Sequence, residues 1–260
     1  MNLTIYQVDA FTDQLFGGNP AAVCPLTKWL PTEIMQKLAN ENNLSETAFF
    51  VREGEHYNIR WFTPELEIDL AGHPTLAAAF VIFNILHHEL PSIHFRSKSG
   101  SLYVHKKEDL FELDFPSRMP QPHPHHELAL IEGINIQPQE VLKSRDFVLV
   151  YKNEAEVKKF IPDYEWLNKL DTLGIIVTAP GNDSDFVSRF FVPNSVIGED
   201  PVTGSAHATL IPYWSKVLNK KTLFAKQVSR RGGQLWCEDK GERVAIAGKA
   251  VLYMKGEYFL

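Results

Sequence analysis

Alternation of apolar and polar residues marks most of this chain as strand. Residues 3–10 alternate, with Ile5, Val8 and Phe11 as inward candidates. After the turn-rich residues 13–20, around Gly17-Gly18-Asn19-Pro20, the strand pattern resumes at Ala21-Ala22-Val23-Cys24. Pro31-Thr32-Glu33 opens an amphipathic helix with Ile34, Met35, Leu38 and Ala39 on one side. Residues 48–51, 57–63 and 110–115 read as strands, and 94–97 with 101–105 as a hairpin about Lys98-Ser99-Gly100. The Pro- and His-rich residues 116–124 break the periodicity and read as a linker. Beyond them the pattern predicts short helices at 127–132 and 154–159, and strands at 146–151, 173–178, 186–191, 226–229, 235–238 and 243–253.

Two segments depart from this pattern. Residues 76–86 are apolar on every face except Asn84, which describes a buried helix. At 1.5 Å per residue it is about 17 Å long, enough to plug a small domain and too short to cross a bilayer. Asp69-Leu70-Ala71-Gly72-His73-Pro74-Thr75 leads into it, with Gly72 for a sharp turn and Pro74 in the first helical turn, where a missing N–H costs nothing. The second segment, Asp200-Pro201-Val202-Thr203-Gly204-Ser205-Ala206-His207, opens a helix over 206–218 that Pro212 should kink. Each helix entrance offers free N–H groups and a positive dipole end.

These segments are two copies of one unit. Arg60-Trp61-Phe62-Thr63-Pro64 precedes the first and Arg189-Phe190-Phe191-Val192-Pro193 the second, 129 residues apart at both Arg and Pro. Gly72 and Gly204 stand 132 apart, so the second copy carries three extra residues ahead of its helix. Upstream, Thr47-Ala48-Phe49-Phe50-Val51 is matched with Leu173-Gly174-Ile175-Ile176-Val177. Three elements agreeing in order imply a duplication into halves. The fold expected is α+β: two pseudo-symmetric domains, each a mixed, barrel-like sheet around one central helix, over residues 1–117 and 118–260, with residues 250–260 packing back on the first. The two helix N-termini are expected to face one cleft between the halves.

Composition narrows the function. With 260 residues, 44% of them hydrophobic and 22% charged, the chain has the material for sizeable cores. A formal charge of −6 argues against a nucleic-acid binder working by bulk electrostatics. The strand pattern begins at once with no basic, apolar leader, which predicts a cytoplasmic protein, and no membrane partner is expected. Cys24 and Cys237 are isolated and read as core residues, not as a disulfide or zinc pair. His123, His125 and His126 are a candidate metal cluster only by composition, and Pro-spaced loop histidines read as solvated.

Converging N–H groups suit a carboxylate or other small anion, and chemistry there needs a titratable group. The candidates are His73, Asp200 and Glu46, which lies between a helix end and a Phe-rich strand. Partial desolvation would raise a Glu there toward working pH, fit for taking and returning a proton. A helix N-terminus favours a neutral His73.

The motifs Gln7-Val8-Asp9-Ala10-Phe11 with Gly18-Asn19-Pro20, Leu44-Ser45-Glu46-Thr47-Ala48-Phe49, Gly72-His73-Pro74-Thr75 and Asp200-Pro201-Val202-Thr203-Gly204-Ser205-Ala206 span nearly the whole chain in order. Together they resemble the PhzF-like isomerase family, named for phenazine biosynthesis. The resemblance implies a diaminopimelate-epimerase-like fold with the active site between two halves, no cofactor, no metal and a homodimer, for which the exposed strand 102–105 is a candidate contact. Its best-studied members isomerise a dihydro-hydroxyanthranilate by moving a proton. By that resemblance Glu46 is the proton shuttle, His73 and Asp200 are catalytic partners, and Ser45, Gly72, Gly204 and Ser205 bind a small carboxylate-bearing substrate. Epimerases of this fold use a Cys at each helix entrance, where this chain has Ala71 and Val202, which argues against two-base racemisation. The alternative expectation is a non-catalytic small-anion binding protein of the same fold.

Overall fold

The computed structural model describes residues 2–124, 127–195 and 197–260. In chain order its elements are β1 (Asn2–Ala10), β2 (Asn19–Leu26), α1 (Thr32–Asn42), β3 (Glu46–Glu53), β4 (His56–Phe62), β5 (Glu67–Ile68), α2 (His73–Phe80), β6 (Ser92–Ser97), β7 (Gly100–Lys107) and β8 (Leu110–Pro116). There follow β9 (Gln121–Pro122), α3 (Leu128–Glu132), β10 (Glu140–Lys143), β11 (Phe147–Val150), α4 (Glu154–Lys159), α5 (Tyr164–Leu167), β12 (Ile175–Pro180), β13 (Phe186–Val192), β14 (Gly198–Asp200) and α6 (Gly204–Leu218). The chain ends in β15 (Thr222–Gln227), β16 (Gly233–Asp239), β17 (Arg243–Gly248) and β18 (Ala250–Phe259). It forms an α+β fold of two compact units, residues 1–114 with 247–260, and residues 115–246. No described helix is long and apolar enough to cross a membrane.

The first unit is a mixed sheet wrapped on α2. β1 lies antiparallel to β2 and to the terminal strand β18. β2 runs parallel to β3, which turns back on β4; β4 pairs antiparallel with β5 and parallel with β6, and β6, β7 and β8 form a meander. Every residue of α2 from His73 to Ala79 is buried, because each face of an apolar helix needs cover. The helix continues through Val81–Ile85 as a wider π turn, closed by the Leu86 N–H on the Val81 carbonyl at 2.9 Å. Outside the sheet, α1 lays Met35, Leu38 and Ala39 on Ile5, Ala22, Cys24, Phe49 and Phe62. The expected inward residues Ile5, Val8 and Phe11 are all buried.

The second unit repeats this order. β11 runs parallel to β12, β12 is antiparallel to β13, and β13 pairs antiparallel with β14 and parallel with β15, which turns into β16. Its central helix, α6, stands between β14 and β15 as α2 stands between β5 and β6. Pro212 inside α6 cannot bond back to the Ala208 carbonyl, and the Arg118 N–H takes that acceptor at 2.9 Å. On the outside, Val157, Phe160 and Leu167 cover Phe147, Leu149, Ile175, Val177 and Phe191.

Matching strand pairs set the register of the repeat. Thr47 opposes Phe62 in the first unit and Ile175 opposes Phe191 in the second, so Thr47 corresponds to Ile175 and not to Leu173. Glu46 then corresponds to Gly174. The proposed linker also carries structure, since Gln121 and Pro122 pair with Lys143 and Leu142. Within the strand at 102–105, Val104 and His105 pair with β6 on one side and β8 on the other, whereas the β8 register does not reach Leu102 and Tyr103. Gly72 has φ −80° and ψ −62°, a conformation open to any residue, so the sharp turn expected of it is not what requires a glycine there.

The same ion pair anchors both repeats. Arg60 on β4 binds Glu67 on β5 through Nε and Nη2 at 2.7 and 2.8 Å, and Arg189 on β13 binds Glu199 on β14 at 2.7 and 2.9 Å. Each arginine also reaches the outer layer, Arg60 to the Thr32 hydroxyl of α1 at 3.0 Å and Arg189 to the Phe160 carbonyl after α4 at 2.8 Å. Arg189→Met should strip the half-buried Glu199 of its arginine and cost about 2–4 kcal/mol, and Arg60→Met should cost less, because Lys98 also binds Glu67 at 2.8 Å. Urea unfolding checks this, and an Arg189→Met variant within 0.5 kcal/mol of the parent, roughly the size of a surface substitution, would contradict it.

Candidate active site

Three element ends meet in the first unit. Glu46 begins β3, His73 begins α2 and Asn19 begins β2. The parallel register sets Ala21 beside Glu46, and α2 packs on the same strands. Nε2 of His73 lies 3.1 Å from Oε2 of Glu46, and Nδ1 of His73 lies 3.1 Å from Nδ2 of Asn19. Asn19 is fully buried and His73 5% exposed, while the Glu46 side chain keeps 16% exposure, so the carboxylate is the member of the chain that solvent reaches. Gly72 precedes His73, and no side chain caps the α2 N-terminus. Ser45, in the turn before β3, is half-buried.

Burial pushes the His73 imidazole down to about 3, and the Pro20 carbonyl beside it acts weakly the other way. The ring is therefore neutral, as expected from the sequence, though desolvation and not the helix dipole is the main cause. Cys24 is buried, and desolvation raises its thiol to about 12; burial also raises Cys237. Neither is a reactive thiolate at neutral pH. Among the described residues no group of three or more His, Cys, Asp or Glu is placed to hold a metal. His123 instead faces Glu127 at 3.0 Å, and His125 and His126 lie outside the described residues.

The second unit places Asp200 at the end of β14 and Thr203, Gly204 and Ser205 at the start of α6. The Thr203 hydroxyl turns from its own helix and donates to Oδ2 of Asp200 at 2.5 Å. Sequence reasoning missed the residue that holds this turn. Gln227, 1% exposed on β15, accepts from the Thr203 N–H at 2.8 Å and donates to the Asp200 carbonyl at 2.8 Å. It also missed Arg145, which is tied to the buried Asp146 and donates to the Ser205 hydroxyl at 3.2 Å. One turn into α6, Nδ1 of His207 donates to the Thr203 carbonyl at 2.8 Å, and burial lowers that imidazole to about 4. No sequence motif marks Gln227 or Arg145, because each acts across pairings fixed only in the fold.

Both buried histidines bind a proton in the unfolded chain near pH 6.5 and refuse it in the folded one until about 3 or 4. The unfolded state then holds more protons between these limits, so stability rises with pH through this window and falls on acidification below 6.5. At pH 5 each histidine should have removed roughly 2 kcal/mol. Urea midpoints from pH 7 to 5 should drop in the parent and drop less in His73→Gln and in His207→Gln; equal slopes would contradict the burial argument.

Known proteins share this architecture. The phenazine biosynthesis-like protein family, PhzC-PhzF, matches residues 8–256. An uncharacterized isomerase of Pseudomonas aeruginosa is 48% identical over 260 residues, all of both chains. The crystal structure of a phenazine biosynthesis protein of the PhzF family from Enterococcus faecalis superposes with a TM-score of 0.97 at 52% identity, covering all of both chains. A hydroxyproline epimerase from Agrobacterium vitis shares the fold at 10% identity, with a TM-score of 0.62 over 98% of this chain and 92% of its own. The order of the strands, the buried helix in each unit and these matches agree, and the chain belongs to the PhzC-PhzF, phenazine biosynthesis-like, family.

Proposed function

We propose that this chain, similar to bacterial proteins named isomerases, moves a proton on a small carboxylate-bearing substrate, with Glu46 as the group that takes and returns it. The observation that carries this reading is the partly exposed Glu46 carboxylate held 3.1 Å from a neutral, buried histidine at an uncapped helix N-terminus. A base must reach solvent or substrate on one side and be oriented on the other, and Glu46 is so arranged. In this reading His73 orients the carboxylate and stabilises charge, and Asp200 stabilises charge on the substrate. Ser45 and Gly72 in the first unit, and Gly204 and Ser205 in the second, are the proposed contacts for substrate oxygens, the helix-start N–H groups of each supplying donors.

The broken symmetry of the duplication favours one base over two. Gly174 stands where the first unit has Glu46, and an added Cβ there would lie 2.1 Å from Cζ of Phe190. The counterpart of His73 is Ser205. A single carboxylate that removes a proton and returns it to another carbon gives an isomerisation, whereas stereoinversion needs a second base on the opposite face.

Glu46→Gln keeps shape and removes the only proton carrier, so turnover should fall by about 10²–10⁴-fold with ligand affinity little changed. The assay incubates small carboxylic acids with the enzyme in deuterated water and reads product and deuterium by mass spectrometry. A Glu46→Gln variant that matches the parent would move the base elsewhere. A parent that binds acids yet converts none would favour the binding-protein reading.

A further inference from the structure

We infer that Asn19 is a positioning residue whose side-chain amide fixes the His73 ring proton on Nε2, the nitrogen on the Glu46 side, and so leaves the proton transfer to the carboxylate. This rests on the reading of Glu46 and His73 given above.

A neutral imidazole has one N–H and one bare nitrogen, and its neighbours decide which is which. The Asn19 amide nitrogen can only donate, so Nδ1 of His73, 3.1 Å away, accepts. The ring proton is then on Nε2, 3.1 Å from the Glu46 carboxylate. Nε2 already carries its proton and Nδ1 is covered by a fully buried side chain, so neither nitrogen is open to take a proton from substrate.

The backbone is built to hold Asn19 in this place. Gly18 before it has φ +58°, and a Cβ there would lie 2.1 Å from the Ala10 carbonyl oxygen, so the β1–β2 loop closes only through glycine. Asn19 then pairs with Ala10 as the first residue of β2, and its side chain points at the start of α2.

The charged groups on elements packed against α2 are few. Glu46 comes from β3. The buried Asp9 of β1 accepts from the Phe16 N–H at 2.9 Å, and on β18 Lys255 lies over the Tyr6 ring while Glu257 accepts from Asn2. β2 and α2 contain no charged residue besides His73 itself. The Pro20 carbonyl beside the ring can accept from a ring N–H, so residue 19 acts by donating to Nδ1 and leaving the proton to Nε2. An aspartate there could only accept, which would draw the proton to Nδ1 and set two acceptors, Nε2 and the Glu46 carboxylate, against each other unless the ring took a second proton.

The test is long-range proton–nitrogen NMR on full-length protein labelled with ¹⁵N at histidine and free of ligand, with His73 assigned from its loss in His73→Gln. The parent should show neutral His73 with bare Nδ1 and protonated Nε2 from pH 8 to 5. His207, whose Nδ1 donates to the Thr203 carbonyl, should show the opposite tautomer and report that each sample is folded. Asn19→Ala should lose the single tautomer. Asn19→Asp should protonate Nδ1 and shift the titration of His73 upward into the pH 5–8 window. A parent with protonated Nδ1, or an Asn19→Ala variant that keeps the parent spectrum, overturns the inference. Because the spectra need no substrate, that failure is separate from a failure of Glu46 as the base, which only the deuterium assay reads.

Discussion

The constraint on which both units depend is a bidentate arginine–carboxylate pair laid across a strand turn just ahead of a buried helix. Glu67 and Glu199 each sit on a two- or three-residue strand, too short to be held by backbone pairing alone. The guanidinium fork fixes each of them to the long neighbouring strand and to the outer helical layer at once. Six residues after Glu67 comes His73, and one after Glu199 comes Asp200, so the ion pair sets where each helix entrance begins. The apolar helices behind, α2 buried from His73 to Ala79 and α6 from Ala206 to Pro212, then leave those entrances little freedom to shift.

On this common frame the two copies have diverged at the helix entrances. The first unit invests its helix start in an Asn–His–Glu chain. The second has Gly174 and Ser205 at the positions of Glu46 and His73, and invests instead in a hydroxyl–carboxylate contact between Thr203 and Asp200, held by Gln227. Duplication supplied two equivalent helix N-termini, and the side chains around them set a glutamate beside a neutral imidazole at one and fixed polar contacts at the other.

Much of the frame was legible in the sequence, and the reasons for the rest are physical. Arg60 with Pro64 and Arg189 with Pro193 gave the repeat at a spacing that the ion pairs bear out. The strand ahead of them was aligned two residues out, on Leu173 in place of Ile175. Side chains alternate with a period of two, so a slip of two keeps every residue on its face and the apolar pattern cannot detect it. Glu46 and His73 were visible because each begins an element with a strong local signature. Asn19 read as part of a loop, since its contact with a residue 54 positions later follows only from where β2 lies against α2. The short β10 at Glu140–Lys143 was missed because four residues carry too little periodicity to be read.

The partner of each carboxylate separates structure from chemistry in this molecule. Glu67 is bound by Arg60, whose charge-assisted hydrogen bonds hold its carboxyl at about 2, with Lys98 adding to the effect. Such a group stays ionised through the physiological range and makes a firm anchor but a poor base. Glu46 faces His73 instead, and burial keeps that ring neutral. A neutral N–H can orient a carboxylate without adding the full positive charge that would do to Glu46 what Arg60 does to Glu67. Placing an imidazole at a buried helix start, where it cannot charge, thus gives Glu46 a neutral neighbour in place of the guanidinium that Glu67 faces.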